Sequence, residues 1–347
     1  MKEVYVASDL GTKIIDSPIP TPGPDQIVVK VVVSGSNPKD WKVPQWGTPG
    51  NSGDDIAGIV HAVGENVYEF KVGGRVAAFH EALTPHGSFA EYALAWQYTT
   101  FHIPNHLSFE GAATLPVAAM TAAVGLFHQI GLDLPAPWTT QSAPLPLVVY
   151  GAATAVGAYA IQFARLANIH PIIGVAGRGI PFAESLIDKS KGDAIVDYRA
   201  GDDAVVQGVK DALAAAGQEG IAYAFDAVSE QGSIENILGA LARPGRVTSV
   251  LPPERFARTQ PFEYPEGVTG SFTSAGAVHI DAKEFGFVYF RYMARMIFEG
   301  RFKPHPHEVV PGGLAGVRQA LQDLKAGKAS AVKYVFRIGE TEGVGHD

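Results

Sequence analysis

The 347-residue chain contains no cysteine, which removes disulfides, thiol nucleophiles and cysteine-ligated zinc from consideration. Charge is also sparse, at 18% of residues, and 27 basic against 35 acidic side chains leave a net charge of −8 with no basic block. Nucleic acid and anionic membrane surfaces are therefore not expected partners. The start, Met1-Lys2-Glu3-Val4, lacks the apolar core of a signal peptide, and the chain reads as soluble and cytoplasmic. The longest apolar run, residues 111–127, contains Pro116 and reads as a buried helix rather than a membrane span. The length allows about two domains, and a hydrophobic fraction of 46% suits a packed, enzyme-like protein.

The informative stretch is Leu147-Val148-Val149-Tyr150-Gly151-Ala152-Ala153-Thr154-Ala155-Val156-Gly157. Four consecutive apolar residues before a glycine predict a strand buried on both faces. Beyond Gly157 the apolar positions Ala160, Ile161, Ala164 and Ala167 recur at helical spacing. A small-residue loop between strand and helix lets backbone approach an anion at the helix start, where N–H donors and the positive dipole end converge. A pyrophosphate fits that description, although the spacing is not G-x-G-x-x-G and an ordinary strand-to-helix turn has the same outline.

Around this stretch the texture divides the chain. Residues 1–110 carry short apolar strands with many glycines, among them 26–33, 53–64 and 73–79, which suggests a curved, barrel-like sheet. A helix is expected over 110–130 and a proline-rich surface loop over 132–146. Strands at 147–150, 171–176, 194–197, 221–226, 246–250 and 268–272 then alternate with helices at 155–167, 182–189, 204–216 and 234–241. That alternation predicts a parallel, doubly wound sheet. The tail, with helices at 284–299 and 314–325 and a strand at 333–337, returns to the first texture. The expectation is an α/β protein. A Rossmann dinucleotide-binding domain, residues 119–274, is inserted into a discontinuous GroES-like catalytic domain, residues 1–118 with 275–347.

The end of the second parallel strand decides between nucleotides, because an acid there binds free ribose hydroxyls and a base suits a 2′-phosphate. Here Ile172-Ile173-Gly174-Val175-Ala176-Gly177-Arg178 has no acid and ends in a guanidinium. NADPH is preferred over NADH on that ground, with a solvated loop arginine as the alternative.

Taken together, Asn37-Pro38-Lys39-Asp40, Gly53-x-Asp55-x-Ala57-Gly58-x-Val60, Gly87-x-Phe89-Ala90-Glu91-Tyr92, Ala113-x-Leu115-Pro116, the Gly151–Gly157 loop, the strand ends Asp197-Tyr198-Arg199 and Phe225-Asp226, and Gly327-x6-Tyr334-Val335 resemble the medium-chain dehydrogenase/reductase superfamily over essentially the whole chain. Gly53-Asp54-Asp55 stands where zinc alcohol dehydrogenases carry Gly-His-Glu, so the resemblance is to the zinc-free branch, with no metal expected. Asn37 to Lys42, the proline-rich insertion after Gly131-Leu132-Asp133-Leu134-Pro135, and Gly151-x-x-Thr154-Ala155 look like fungal trans-acting enoyl reductases of polyketide biosynthesis, of the lovastatin-pathway type.

That resemblance implies hydride transfer from NADPH to the β-carbon of an enoyl thioester, with negative charge developing on the thioester oxygen. It places the Asn37–Lys42 segment beside the nicotinamide, which makes Lys42 the candidate cationic partner and Asp40 a group that orients Lys42 or backbone. The alternative for both is an exposed turn. For cofactor contacts it implies Thr121, Gly151, Ala153, Thr154, Ala155, Val156, Arg178, Tyr198, Asp226 or its neighbours, Leu251, Ser271 and Phe272. Thr121 can instead bond its own helix, and Tyr198 can simply pack. The aromatic run Phe285–Tyr292 is read either as one wall of a substrate cleft or as core or a subunit contact. Three functions follow: an enoyl reductase acting on a small-molecule or acyl-carrier-bound substrate, with a polyketide synthase as partner; a stand-alone quinone or enone reductase; and a nucleotide-binding protein with a redox-neutral or scaffold role.

Overall fold

β-Branched runs separated by glycine and proline form short strands in the first part of the chain. The structure, a computed structural model, describes residues 1–139 and 142–345. β1 (Lys2–Val6) and β2 (Thr12–Asp16) make an antiparallel hairpin. β3 (Gln26–Gly35), α1 (Lys39–Gln45), β4 (Asp55–Val63), β5 (Arg75–Phe79), β6 (Tyr92–Trp96) and β7 (Thr100–His102) follow. β3 is the hub, antiparallel to β4 along nearly its whole length and to β6 over residues 26–30. The helix expected over 110–130 is two, α2 (Phe109–Ala112) and α3 (Pro116–Phe127). Proline disfavours helical backbone in the residue before it but suits the first helical position, so the chain stops at Ala112 and restarts at Pro116.

Next comes an alternation of strand and helix: β8 (Leu147–Tyr150), α4 (Ala155–Leu166), β9 (Ile172–Ala176), α5 (Ile180–Leu186), β10 (Ala194–Asp197), α6 (Asp202–Ala215), β11 (Ile221–Asp226), α7 (Ser233–Ala240), β12 (Leu241–Ser249), α8 (Pro253–Phe256) and β13 (Val268–Phe272). The strands form a sheet of order β10-β9-β8-β11-β12-β13, parallel at every pairing. Strand order therefore reverses between β8 and β11, which opens a crevice at their carboxyl ends. β8 is buried along its length, as its unbroken apolar sequence demands. β12 begins five residues before the expected 246, because Leu241 already pairs with Ile221 across an irregularity in the register. The segment expected as a surface loop over 132–146 is tied down at its start: Leu132 and Leu134 are buried, and their N–H groups donate to the carbonyls of Gly125 and Leu126. Its residues 140–141 lie outside the described residues.

The tail supplies α9 (Lys283–Phe298), β14 (His307–Val309), α10 (Val317–Lys325) and β15 (Lys333–Arg337). β15 runs antiparallel to β3 and completes a sheet of order β14-β15-β3-β4-β5-β7. Its apolar residues Tyr334 and Phe336 join the core formed by Val4, Ile27, Val29, Ile56, Phe70 and Phe89, as do Val317 and Leu321 of α10. The chain thus divides into two compact units, Thr121–Ala275 and a discontinuous unit of Met1–Met120 with Gly276–Asp347. On α9 the aromatic run is partly core: Tyr289 and Phe290 are buried, Phe285, Phe287 and Tyr292 are half-buried, and Phe290 stacks on Phe101 at 5.4 Å between ring centroids.

Candidate active site

Every cofactor residue singled out in the sequence except Thr121 lies at or just beyond the carboxyl end of a strand of the parallel sheet. Ala153, Thr154, Ala155 and Val156 follow β8, Arg178 follows β9, Tyr198 follows β10, and Asp226 ends β11. Leu251 follows β12, whereas Ser271 and Phe272 end β13 at the sheet edge. Thr121 is a buried residue inside α3.

The loop after β8 is built for close approach. Gly151 turns at φ +85°, and a Cβ on Gly157 would come within 2.2 Å of the Gly151 carbonyl oxygen. Helix α4 can start this close to β8 only because position 157 has no side chain. Thr154 caps the helix, its hydroxyl accepting the Gly157 N–H at 3.0 Å. That occupies the Thr154 hydroxyl with the helix itself. The N–H groups of Ala155 and Val156 stand in the first turn, where no intrahelical acceptor exists. Both residues and Ala153 keep solvent access, and Thr154 is exposed. Backbone donors, a helix N-terminus and small side chains are the donor set a pyrophosphate requires, so the residues present fit a dinucleotide.

The neighbouring strand ends add the basic corner. Arg178 is exposed directly after Gly177, and a Cβ on Gly177 would lie 2.5 Å from the Tyr198 ring. The Tyr198 ring therefore rests on the turn that carries Arg178. Arg199 is not part of this corner, since its guanidinium forks onto Asp197 at 2.6 and 2.9 Å. No carboxylate ends β9, where an acid would bind ribose hydroxyls.

Of Asp226 and its neighbours, Asp226 itself has its carboxylate committed to the protein. It is fully buried, with one oxygen accepting the Val228 and Ser229 N–H groups at 3.0 and 2.8 Å and the other the Ser233 hydroxyl at 2.6 Å. The side chain shapes the turn after β11, and Val228 from that turn lies against Gly151. Burial pushes its carboxyl up to about 6 despite those three donors. The Ser271 hydroxyl is buried, while Phe272 is 49% exposed.

The second cluster belongs to the discontinuous unit. The Asn37–Lys42 segment is no exposed turn: α1 begins at Lys39, Asp40 is 0% exposed and Lys42 4%. One Asp40 oxygen accepts the Asn37 N–H at 2.7 Å. The other pairs with Lys39, 2.7 Å away, whose ammonium also sits 2.6 Å from Asp54 and donates to the Ser52 carbonyl. Asp40 thus engages Lys39 rather than Lys42. Pro44 cannot donate to the Asp40 carbonyl one turn back, and the Ser52 hydroxyl takes that acceptor at 2.9 Å. Burial raises the Asp40 carboxyl to about 7 against the pull of Lys39, and the nearby Asp54 adds to the rise. Burial opposes the Lys39 ammonium, yet Asp40 and Asp54 hold its pKa above the ordinary lysine value. The Lys42 ammonium lies 4.5 Å from the centre of the Trp41 ring.

Sequence reading missed the partner of this cluster. Lys333 on β15, 4% exposed, pairs with the fully buried Asp55 at 2.6 Å. The only hint in the sequence was a charge at the head of each apolar strand, and a charge that is buried requires an opposite charge inside the fold. Among the described residues no group of three or more histidine and acidic side chains is arranged to hold a metal ion.

Comparison with known proteins agrees with this architecture. Residues 23–105 match the alcohol dehydrogenase GroES-like domain, and residues 191–330 match the family described as zinc-binding dehydrogenase. The trans-enoyl reductase fsr4 of Gibberella fujikuroi is 45% identical over 320 residues, covering 91% of this chain and 92% of that protein. The trans-enoyl reductase resD of Aspergillus sclerotiorum is 32% identical over 349 residues, covering 93% and 96%. Among solved structures, the CurK enoyl reductase superposes with a TM-score of 0.75 at 20% identity, covering 96% of this chain and 98% of that one. A quinone oxidoreductase of Pseudomonas syringae gives a TM-score of 0.75 at 22% identity, covering 96% and 99%. The chain is an oxidoreductase of the medium-chain dehydrogenase/reductase fold and belongs, with fsr4 and resD, to the family of trans-enoyl reductases, enzymes that use a nicotinamide nucleotide.

Proposed function

We propose that this protein is an NADPH-dependent, trans-acting enoyl reductase that reduces an α,β-unsaturated polyketide thioester carried by a separate synthase. The observation that carries the choice of nucleotide is the basic corner at the sheet's carboxyl edge: Arg178 beside the Tyr198 ring, with no acid at the end of β9. When bound, the nucleotide supplies a hydride to an electron-poor carbon. The Ala155 and Val156 amides and the α4 dipole hold its pyrophosphate. Arg178 pairs with the 2′-phosphate, which a fork of N–H donors suits. Lys42 stabilises the negative charge that develops on the thioester oxygen, and Asp40 holds the start of α1 against Lys39. The relatives' printed activity, trans-enoyl reduction, supports a carrier-bound substrate.

Fluorescence titration tests the nucleotide. NADPH is expected to bind more tightly than NADH, and Arg178→Ala is expected to remove about tenfold of that preference; equal affinities in the parent protein would remove the argument from Arg178. Loss of NADPH absorbance is then compared for a carrier-tethered enoyl thioester, a free enone and a quinone. Turnover confined to the free enone or the quinone would overturn the carrier-bound reading. Lys42→Ala is expected to lower turnover with nucleotide affinity intact.

A further inference from the structure

Lys333 lies on the last strand of the chain, far in sequence from α1, yet its ammonium reaches the residue at which the α1 segment begins. Three acceptors surround it: Asp55 at 2.6 Å, the Asn37 side-chain oxygen at 3.0 Å and the Thr114 carbonyl at 3.4 Å. The Asn37 side-chain amide in turn donates to the same Asp55 oxygen at 2.6 Å. Lys333, Asp55 and Asn37 therefore close a triangle in which each member bonds the other two. All three are buried, at 4%, 0% and 6% exposure. The other Asp55 oxygen accepts the Val117 N–H at 2.8 Å. An acidic side chain from β4 thus caps α3, where Pro116 leaves Val117 as the first donor. A carboxylate in this place requires the ammonium, because an isolated buried charge is strongly disfavoured. With the ammonium gone, the Asp55 carboxylate is a buried charge without its counter-charge, and the geometry that holds Asn37 is lost.

Asn37 is also the residue whose N–H donates to Asp40, so its backbone holds the first turn of α1 while its side chain holds Asp55 of β4. α1 has seven residues, one of them Pro44, and its cap residue Pro38 makes no side-chain cap. Too short to be stable by itself, such a helix takes its position from its anchors. We propose that Lys333 is a positioning residue: through Asp55 and Asn37 it fixes the α1 segment that carries Lys42. The consequence for turnover rests on the proposed role of Lys42, whereas the consequence for α1 does not.

The test uses the full chain and two variants, Lys333→Met, which removes the ammonium, and Asn37→Ala, which leaves the Lys333–Asp55 pair but cuts its link to α1. Hydrogen–deuterium exchange is read over peptides spanning residues 37–46 and, as an internal control, over β8 to β11. Exchange in the α1 peptides is expected to rise about tenfold in both variants, with the control unchanged. Turnover is expected to fall about tenfold with NADPH affinity held. Combining Asn37→Ala with Lys42→Ala is expected to give no further loss beyond Lys42→Ala alone, which a merely structural weakening would not produce. Unchanged α1 exchange in either variant, when folded, overturns the proposal; if Lys333→Met does not fold, Asn37→Ala decides. Faster α1 exchange with full turnover in Lys42→Ala would leave the positioning role standing and sink the role of Lys42 instead.

Discussion

The loop after β8 and the α1 segment are both short strand-to-helix connections, and they are built on opposite principles. The first has no charged side chain between Gly151 and Gly157; its donors are backbone amides, its side chains are small, and the residues from Ala153 to Val156 reach solvent. The second is held by ion pairs that are buried or nearly so, with Lys39 between Asp40 and Asp54 and, beside the segment, Lys333 against Asp55. A backbone cradle offers an anion a fixed set of donors with little to reorganise, and it tolerates any side chain that leaves the space clear. A buried charge network specifies one arrangement of its members, and removing any one member leaves another uncompensated. Substitutions should therefore act through volume in one region and through charge in the other.

The largest effect is expected at Lys39. Lys39→Met keeps most of the volume but leaves Asp40 and Asp54 facing each other, both essentially buried. Breaking a buried pair in this way costs about 3 kcal/mol, the lower end of the range, because the Lys39 side chain is itself 27% exposed. Urea unfolding measures it, and a loss no larger than that of an ordinary surface substitution would erase the contrast between the two regions. Asp226 sharpens the contrast from the other side, as a buried carboxylate in the parallel-sheet unit held by neutral donors alone. Its folded pKa, about 6, lies above the unfolded value near 3.8, so the native state binds the proton more tightly. The stability this brings is complete below about pH 4 and is lost as pH rises through about 6. Asp226→Asn can keep the three hydrogen bonds without the charge. It should be more stable than the parent by about 2–3 kcal/mol near pH 8, with the advantage gone near pH 4. Parallel pH profiles for the two proteins would show that Asp226 does not titrate as its burial implies.

Much of this was legible from residues alone, for reasons that differ by region. β8, β10, β11 and β13 occupy the stretches read from the sequence; β8, buried along its length, is an apolar run that stops where Gly151 begins the turn, and β11 is one that stops at Asp226. The cradle was legible because its signal is local: small residues, one turn and a helix start within eleven positions. The break before Pro116 was outweighed by the apolar periodicity around it, though proline marks such a boundary. The identity of Lys39 as the Asp40 partner was not legible, because two lysines flank Asp40 in sequence and only the bend back to Ser52 and Asp54 chooses between them. The Lys333–Asp55 pair spans 278 positions, and no local pattern connects them. The partners of the Asp226 carboxylate were not legible either. A strand-end carboxylate beside a nucleotide loop resembles a ligand, but two N–H groups and a hydroxyl from the following turn had already claimed it.

The smaller effects belong to the cradle and separate its two ingredients. Gly157→Ala places a methyl within 2.2 Å of the Gly151 carbonyl oxygen, so strand and helix must part. Overpacking of this kind costs about 1–3 kcal/mol, and nucleotide affinity should fall with it, because the amides of Ala155 and Val156 move with the helix. Thr154→Ala removes a cap and adds no volume, leaving the Gly157 N–H without its acceptor. Its cost to stability should be only about 1 kcal/mol. Since the hydroxyl is turned toward the helix, NADPH affinity should change less than about threefold. Titration of NADPH against Thr154→Ala and Thr154→Ser measures this. A loss of affinity in the alanine variant restored by serine would mean that the hydroxyl serves the nucleotide as well as the helix, and the cradle would no longer be a matter of backbone alone.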